Sequence, residues 1–272
     1  MSFKKIFFRI LNKYPDSFFK DKTIIDFPAG SGETSLYLVD QKKAKVLAFD
    51  LFPEFFKPDH LLCTACDITD GIPMSNETAD LFISQEGLEH FVDQRMAFVE
   101  MNRVLKMGGS LILTTPNGSC LSSRLSWLLT ESEKYNRIMP VNEADSLWLN
   151  QQNQTSRVYF GHVFLASISR IRFFARISGF EIKKLHFSEF KISNWILFPL
   201  LYPWILLSGI LTLARNLKKH PEHRSIYWDV FRWTCHPFVL LDPSLVLELK
   251  KTRAPNEALK LCTQTGSMEM TT

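Results

Sequence analysis

Apolar positions along this chain follow two rhythms. Near the start they recur at helical spacing: Phe3, Ile6, Phe7, Ile10, Leu11 and Tyr14 share one face of residues 3–18, and Lys4, Lys5 and Arg9 fall mostly elsewhere. This predicts an amphipathic N-terminal helix within residues 1–22, read as a lid packed on the domain in preference to a basic helix on a membrane surface. From residue 23 onwards, short apolar runs alternate with helix-length segments. Residues 23–27, 45–50, 61–66, 79–84 and 110–115 read as strands, and 33–41 and 94–106 as helices. Gly108-Gly109 is read as the stop of the second helix, and Pro116-Asn117 as the stop of the fifth strand. Such alternation predicts an α/β fold: a mostly parallel sheet with helices on both faces and ligands at the carboxyl ends of its strands.

After Asn117 the rhythm breaks. Residues 118–160 are polar and mixed, and are read as an insertion on the acceptor side of a core spanning 23–187. A helix over 161–178 and a sixth strand over 179–187 follow. The last strand lies within 244–254, and the polar tail 255–272 is predicted to be disordered.

Between strands six and seven, residues 188–243 form an apolar insertion. Its stretch 192–214 has no charged residue in 23 positions and is closed by Lys191 on one side and Arg215, Lys218 and Lys219 on the other. Trp195, Tyr202 and Trp204 are interfacial residue types. The length would cross a bilayer, but Pro199 and Pro203 are predicted to kink or break a helix there. A single pass would also put strands six and seven on opposite sides of a membrane. A re-entrant hairpin or an in-plane helix pair, with 226–241 as the returning arm, is consistent with one sheet. A buried hairpin that covers the sheet or makes a dimer is the competing form.

Composition narrows the class. The chain has 272 residues, 46% of them hydrophobic, enough for one α/β domain with an insertion. A net charge of +4 is too mild to argue for nucleic acid, and no nucleic-acid partner is expected. Five scattered cysteines do not form a secreted disulfide framework, and Cys63-Thr64-Ala65-Cys66 has no second CxxC to complete a zinc site. Lysines and an arginine interrupt the N-terminal apolar segment, so no signal peptide is read there. The expectation is a cytoplasmic protein at the inner face of a membrane.

The candidate chemistry sits at the strand ends. The first strand ends at Asp26 and runs into Gly30-x-Gly32, where backbone can approach a ligand. The second ends at Asp50, 18 residues after Gly32, where a carboxylate can accept both ribose hydroxyls. Asp67 follows the third strand, and its neighbour Ile68 offers an apolar face to a purine. Nucleotide-binding dehydrogenases share much of this layout. Here, however, Ser35 replaces the third glycine of their fingerprint, and no Tyr-x-x-x-Lys pair follows.

Three stretches together are more specific: Ile24-Ile25-Asp26-Phe27-Pro28-Ala29-Gly30-Ser31-Gly32, then residues 79–90 ending Gln85-Glu86-Gly87-Leu88-Glu89-His90, then residues 102–117 around Leu105-Lys106-Met107-Gly108-Gly109. In these the chain resembles the class I S-adenosylmethionine-dependent methyltransferases. The resemblance implies a Rossmann-like sheet of seven strands and S-adenosylmethionine as cofactor. It implies that Asp26, Pro28, Gly30 and Gly32 shape the loop at the amino-acid end of the cofactor. Asp50 and Leu51 would hold the ribose, Asp67 and Ile68 flank the adenine, and Gln85 and Glu86 line the methionine end. Pro28 departs from the family, which often has glycine there.

Glu86, Glu89 and His90 are spaced i, i+3 and i+4 and would share a face on one helical turn. With His162 they form a weak divalent-metal candidate, similar to the cluster of ubiquinone O-methyltransferases and small-RNA 2′-O-methyltransferases. His90 or His162 acting as general base on an acceptor hydroxyl is the preferred reading. The function implied is O-methylation of a membrane-associated lipid, a quinone-like ring or a lipid-linked glycan. The alternatives are a soluble small-molecule or sugar methyltransferase, with the insertion as lid or dimer interface, and a non-catalytic binding scaffold.

Overall fold

In chain order the elements are α1 (Phe3–Leu11), β1 (Thr23–Asp26), α2 (Glu33–Lys42), β2 (Lys45–Asp50), β3 (Cys63–Ala65), β4 (Ala79–Gln85), α3 (Gln94–Val104), β5 (Leu105–Pro116) and α4 (Leu121–Thr130). They continue with β6 (Leu147–Trp148), β7 (Tyr159–Phe160), α5 (Ile168–Ile177), β8 (Phe180–His186), α6 (Ile192–Lys219), α7 (Arg224–Thr234), α8 (Pro237–Leu241), β9 (Ser244–Lys251) and α9 (Pro255–Thr265). This computed structural model describes residues 3–132, 139–148, 159–161 and 163–265.

Seven strands make one sheet in the order β3-β2-β1-β4-β5-β9-β8. The first five are parallel; β9 is antiparallel to both β5 and β8. β6 and β7 pair apart from it. Alternation along the strands divides the core between the two faces. Ile25, Phe82, Leu111 and Leu113 pack with Ala97, Phe98 and Met101 of α3 and Ile168 and Ile171 of α5. Ile24, Leu81, Ile83 and Ile112 pack with Phe7 and Leu11 of α1 and Leu38 of α2.

Several predicted boundaries move. α1 stops at Leu11 and a single 3-10 turn, Asp16–Phe18, follows Pro15. Proline cannot donate to the helix and pushes the residue before it out of helical geometry, so the predicted helix over 3–18 cannot continue. Ile6, Phe7, Ile10 and Leu11 are buried, which seats α1 on the sheet. Tyr14 fixes the segment after it, donating to Glu248 at 2.7 Å with its hydroxyl 3.0 Å from His186 Nε2. Gly108-Gly109 does not end a helix but lies inside β5, which starts directly after α3. Its register with β4 jumps from Ala79↔Leu105 to Leu81↔Ser110, and Gly108 takes φ +73° in the looped-out stretch. Only three residues of the predicted third strand, Cys63–Ala65, are paired.

The tail is not wholly irregular. α9 forms from Pro255 to Thr265 with Ala258 buried, packing on α3 and α5, while residues 266–272 lie outside the described residues. Its polarity hid a narrow face at helical spacing, the buried Ala258 and the half-buried Cys262, while Leu259 and Leu261 are exposed.

α6 is a 28-residue helix that runs on through Pro199 and Pro203 instead of breaking. Each proline removes one backbone hydrogen bond at a cost of about 3 kcal/mol. The helix is held near its start and towards its end. Asn194 near its start is fully buried, accepts from the Ser122 amide and donates to the Leu241 carbonyl. Towards its end, Gly209 packs so tightly on α7 that a Cβ there would lie 2.8 Å from Cys235 Sγ and 3.0 Å from Phe231. α7 returns antiparallel along α6, and α8 leads back into β9. The insertion is thus a helix pair joining two neighbouring strands.

Candidate cofactor and acceptor site

At the carboxyl end of β1 the chain crosses towards α2. The Ala29 amide donates to the Phe49 carbonyl and the Gly30 amide to Asp50 Oδ2 at 2.7 Å, which ties the loop to β2. Gly30 has φ +52°, and the space a Cβ would fill there is open. Gly32 has φ +78°, and a Cβ there would meet the rings of Phe56 and Pro58 at 2.6 Å. The loop after β2 therefore folds directly over the glycine turn.

Asp26 is buried and accepts from the Ser35 hydroxyl at 2.6 Å. Burial raises its carboxyl to a pKa of about 7, opposed by the Ser35 hydrogen bond and reinforced by the charge of Asp50. Asp50 accepts the Gly30 amide on one oxygen and the Phe52 amide, 2.8 Å away, on the other. A carboxylate has about four lone-pair sites, so two stay available for a pair of vicinal hydroxyls. Leu51 follows it, half-buried. Asp67 closes a turn on Thr69, and Ile68 is packed into the core below. These groups suit a ligand with a vicinal diol: open space beside the Gly30 backbone and a carboxylate at Asp50, with the buried Asp26 holding the start of α2 through Ser35.

The carboxyl end of β4 forms the other wall. Gln85 accepts from the Thr34 hydroxyl at 2.8 Å. Glu86 has φ +49°, and its carboxylate accepts from Thr114 at 3.1 Å. Leu88–His90 is a 3-10 turn, and the buried Glu89 accepts from Thr115 at 2.9 Å. Glu86, Glu89 and His90 therefore do not share one α-helical turn. The left-handed residue and the 3-10 turn break the i, i+3, i+4 register, and the two carboxylates are drawn to different threonines of β5. Among the described residues no group of three or more His, Cys, Asp or Glu side chains could hold a metal ion. His162 lies outside the described residues.

His90 Nδ1 is 2.7 Å from the Phe160 carbonyl oxygen and 3.2 Å from that of Gly161. A carbonyl can only accept, so Nδ1 carries a proton, while Nε2 lies 3.9 Å from Glu89 Oε1. Gln94 donates to the Leu88 and Phe164 carbonyls, and the Phe164 amide donates to Glu89 O. These bonds draw Phe160, Gly161 and Phe164 across the loop after β4. Cys63 is no thiolate candidate, because burial and the nearby Asp50 and Asp26 push its thiol up to about 12.

Ser35, Thr34, Thr114 and Thr115 do work that the motif reading left unassigned. The signal was present: Ser35 occupies the place of the missing third glycine, in the first turn of α2, and the two threonines sit at the end of the β5 motif.

Residues 25–113 match the family model of a methyltransferase domain. No curated protein matches the chain. Among solved structures, an S-adenosylmethionine-dependent methyltransferase from Archaeoglobus fulgidus superposes with a TM-score of 0.52 at 14% identity, covering 92% of this chain and 95% of that one. A protein from Listeria monocytogenes, provisionally named an S-adenosylmethionine-dependent methyltransferase, superposes with a TM-score of 0.53 at 16% identity over 92% and 98%. At these identities the likeness concerns the fold.

Proposed function

We propose, from the premise that this chain is a class I S-adenosylmethionine-dependent methyltransferase, that it works at a membrane surface and methylates a hydroxyl on a lipid-borne acceptor. The cofactor supplies a methyl group activated on a sulfonium. In this reading the chain's own groups bind and orient it: Gly30 with its backbone, Asp50 the ribose, and Asp26 the positive charge.

The observation that carries the membrane reading is the exposure of α6. Only 6% of its most apolar 18-residue window is buried. Ile192, Ile196, Leu200, Leu207 and Leu211 form a stripe at helical spacing, and Leu200, Trp204 and Leu211 are 63%, 70% and 62% exposed. Trp127, Leu128 and Leu129 of α4 add to the apolar surface. Apolar patches of this extent mark interaction surfaces. Lying in the plane of the interface suits the geometry, because α6 is held at Asn194 and again along α7, and strands β8 and β9 on either side of it are paired. Arg215, Lys218, Lys219 and Arg224 follow the apolar stretch, each worth about 1 kcal/mol near anionic headgroups.

α6 also starts close to the acceptor side of the sheet. Asn117, immediately after β5, donates to the Val239 and Asp242 carbonyls, and Asn194 bonds the start of α4. A membrane against α6 would bring its surface towards the strand ends that hold His90. There, His90 Nε2 would take the proton from the acceptor hydroxyl as the methyl is transferred. The in-line geometry and exclusion of water would supply most of the rate.

Flotation with vesicles of mixed phosphatidylcholine and phosphatidylglycerol tests the membrane step. The full chain should float, and replacing Ile196, Leu200 and Leu211 together by Gln should leave it at the bottom of the gradient with its fold intact. A wild-type chain that stays monomeric and soluble without detergent, and does not float, overturns the membrane reading. Labelled S-adenosylmethionine added to a lysate with the chain should put label into the lipid extract. Label found only in water-soluble small molecules would favour the soluble alternative.

A further inference from the structure

A groove of about 830 Å³ lies between α4, α6 and α7, away from the glycine turn. Leu125, Leu128, Leu201, Ile205, Val230 and Phe231 are among its walls. The volume is in the range of sites that enclose a small organic ligand. On one side it opens beside the exposed stripe of α6 and Leu128 of α4. Among the described residues one charged side chain lines it, Arg124.

Arg124 is half-buried. Its Nε donates to the Ser119 carbonyl at 2.8 Å and its Nη2 to the Thr234 carbonyl at 3.3 Å. These use two of the five N–H donors of a guanidinium. Among the described residues no carboxylate pairs with it, in contrast to Arg103 and Arg172, which meet Glu100 and Asp229. A guanidinium stays charged at any pH a protein meets, and a cation against an apolar wall calls for an anion. The two carbonyls orient its fork without neutralising it.

We propose that this groove holds one acyl chain of an anionic membrane lipid, with the acidic headgroup on Arg124. The inference rests on the membrane reading above for the source of the lipid. Its chemistry is that of a single-site amphiphile receptor: the chain displaces water from the walls, and the phosphodiester accepts the remaining guanidinium donors in paired, charge-assisted hydrogen bonds. The lipid would fill the space between the helix pair and α4, and would fix the height at which α6 sits in the interface.

The test uses the full chain in nonionic detergent, with palmitoyl-oleoyl phosphatidylglycerol against phosphatidylcholine carrying the same chains, and counts lipids retained by native mass spectrometry. Wild type should keep one phosphatidylglycerol, about tenfold in preference to phosphatidylcholine. Arg124→Gln should bring the two lipids to near parity. Thr212→Trp, which fills the groove and leaves Arg124 in place, should lower retention of both and keeps the test decisive if Arg124→Gln fails to fold. Equal retention of the two lipids by wild type, or phosphatidylglycerol held undiminished by Thr212→Trp, overturns the proposal. Flotation separates the two readings. An Arg124→Gln chain that still floats but has lost its lipid preference supports both, whereas a wild type that retains phosphatidylglycerol but never floats sinks the membrane reading alone.

Discussion

The ring of Pro28 occupies the space that a side chain on residue 87 would need. A Cβ at Gly87 would lie 2.3 Å from Pro28 Cδ, and 3.2 Å from the ring of Phe91. Gly87 has φ −118°, which any residue can adopt, so glycine is required here by packing and not by conformation. The proline that departs from the family pattern is thus matched by a glycine on the facing strand end. Replacing Gly87 by Ala should destabilise the protein by about 1–3 kcal/mol, the usual range for overpacking. Pro28→Ala removes the ring from that contact, so the double variant should lose less than the sum of the two single losses. Denaturant unfolding of the two single variants and the double gives the coupling, and strictly additive losses would refute the contact.

If Asp26 faces the cofactor's positive charge as proposed, the empty and loaded protein should respond differently to pH. Its carboxyl titrates at about 7 in the fold, against 3.8 as its ordinary value. A group raised in this way contributes stability that is fully present below about pH 4 and is lost as pH rises to about 7. Asp26→Asn should therefore raise the thermal midpoint of the cofactor-free chain at pH 8 more than at pH 5. The cationic cofactor prefers the ionised carboxylate, so its affinity for wild type should climb as pH rises through about 7, with proton release below that. Calorimetry in buffers of different ionisation heat measures the proton count. A flat affinity between pH 5.5 and 8 would remove Asp26 from the charge pairing.

How far the fold and the site could be read beforehand follows from range. β1, β2 and β4 announced themselves because each is a nearly continuous apolar run bounded by turn residues, and Asp26, Gly30, Gly32 and Asp50 stand at fixed offsets from those runs. The helical turn expected for Glu86, Glu89 and His90 failed because spacing alone does not report a left-handed residue. Glu86 takes that conformation in company with Thr114, which is distant in sequence and adjacent only once β4 and β5 pair. The role of Ser35 was hidden in the same way. The prolines of α6 misled because their local cost was weighed without Asn194 and α7, which hold the helix from outside.

In the proposed reaction His90 takes the acceptor proton, with its ring held through Nδ1 by the Phe160 carbonyl. His90→Ala should lower kcat by about 10²–10⁴, leaving cofactor affinity within about twofold. His90→Gln, which keeps an N–H to give the Phe160 carbonyl but has no basic nitrogen, should be as slow as His90→Ala. A purely structural role would let Gln restore most of the turnover. Measuring kcat and cofactor affinity for wild type and both variants separates the two.

Asn194 joins three helices through one amide. Its oxygen accepts the Ser122 amide at the start of α4, at 2.8 Å, and its nitrogen donates to the Leu241 carbonyl at the end of α8, at 2.7 Å. The side chain is fully buried, so water cannot replace either bond. Asn194→Ala strands both backbone partners, and with about 1–3 kcal/mol for each unsatisfied group it should cost about 2–6 kcal/mol of stability. Asn194→Asp keeps the acceptor but puts a carboxylate oxygen against the Leu241 carbonyl, so it should be no better at neutral pH. Hydrogen exchange is the sharper readout. The first turns of α6 and α4 should lose protection together in Asn194→Ala, while the amides of β4 and β5 stay protected. Loss of protection spread evenly over the sheet would mean that Asn194 supports the whole core, and the anchoring of the apolar helix would have to come from α7 alone.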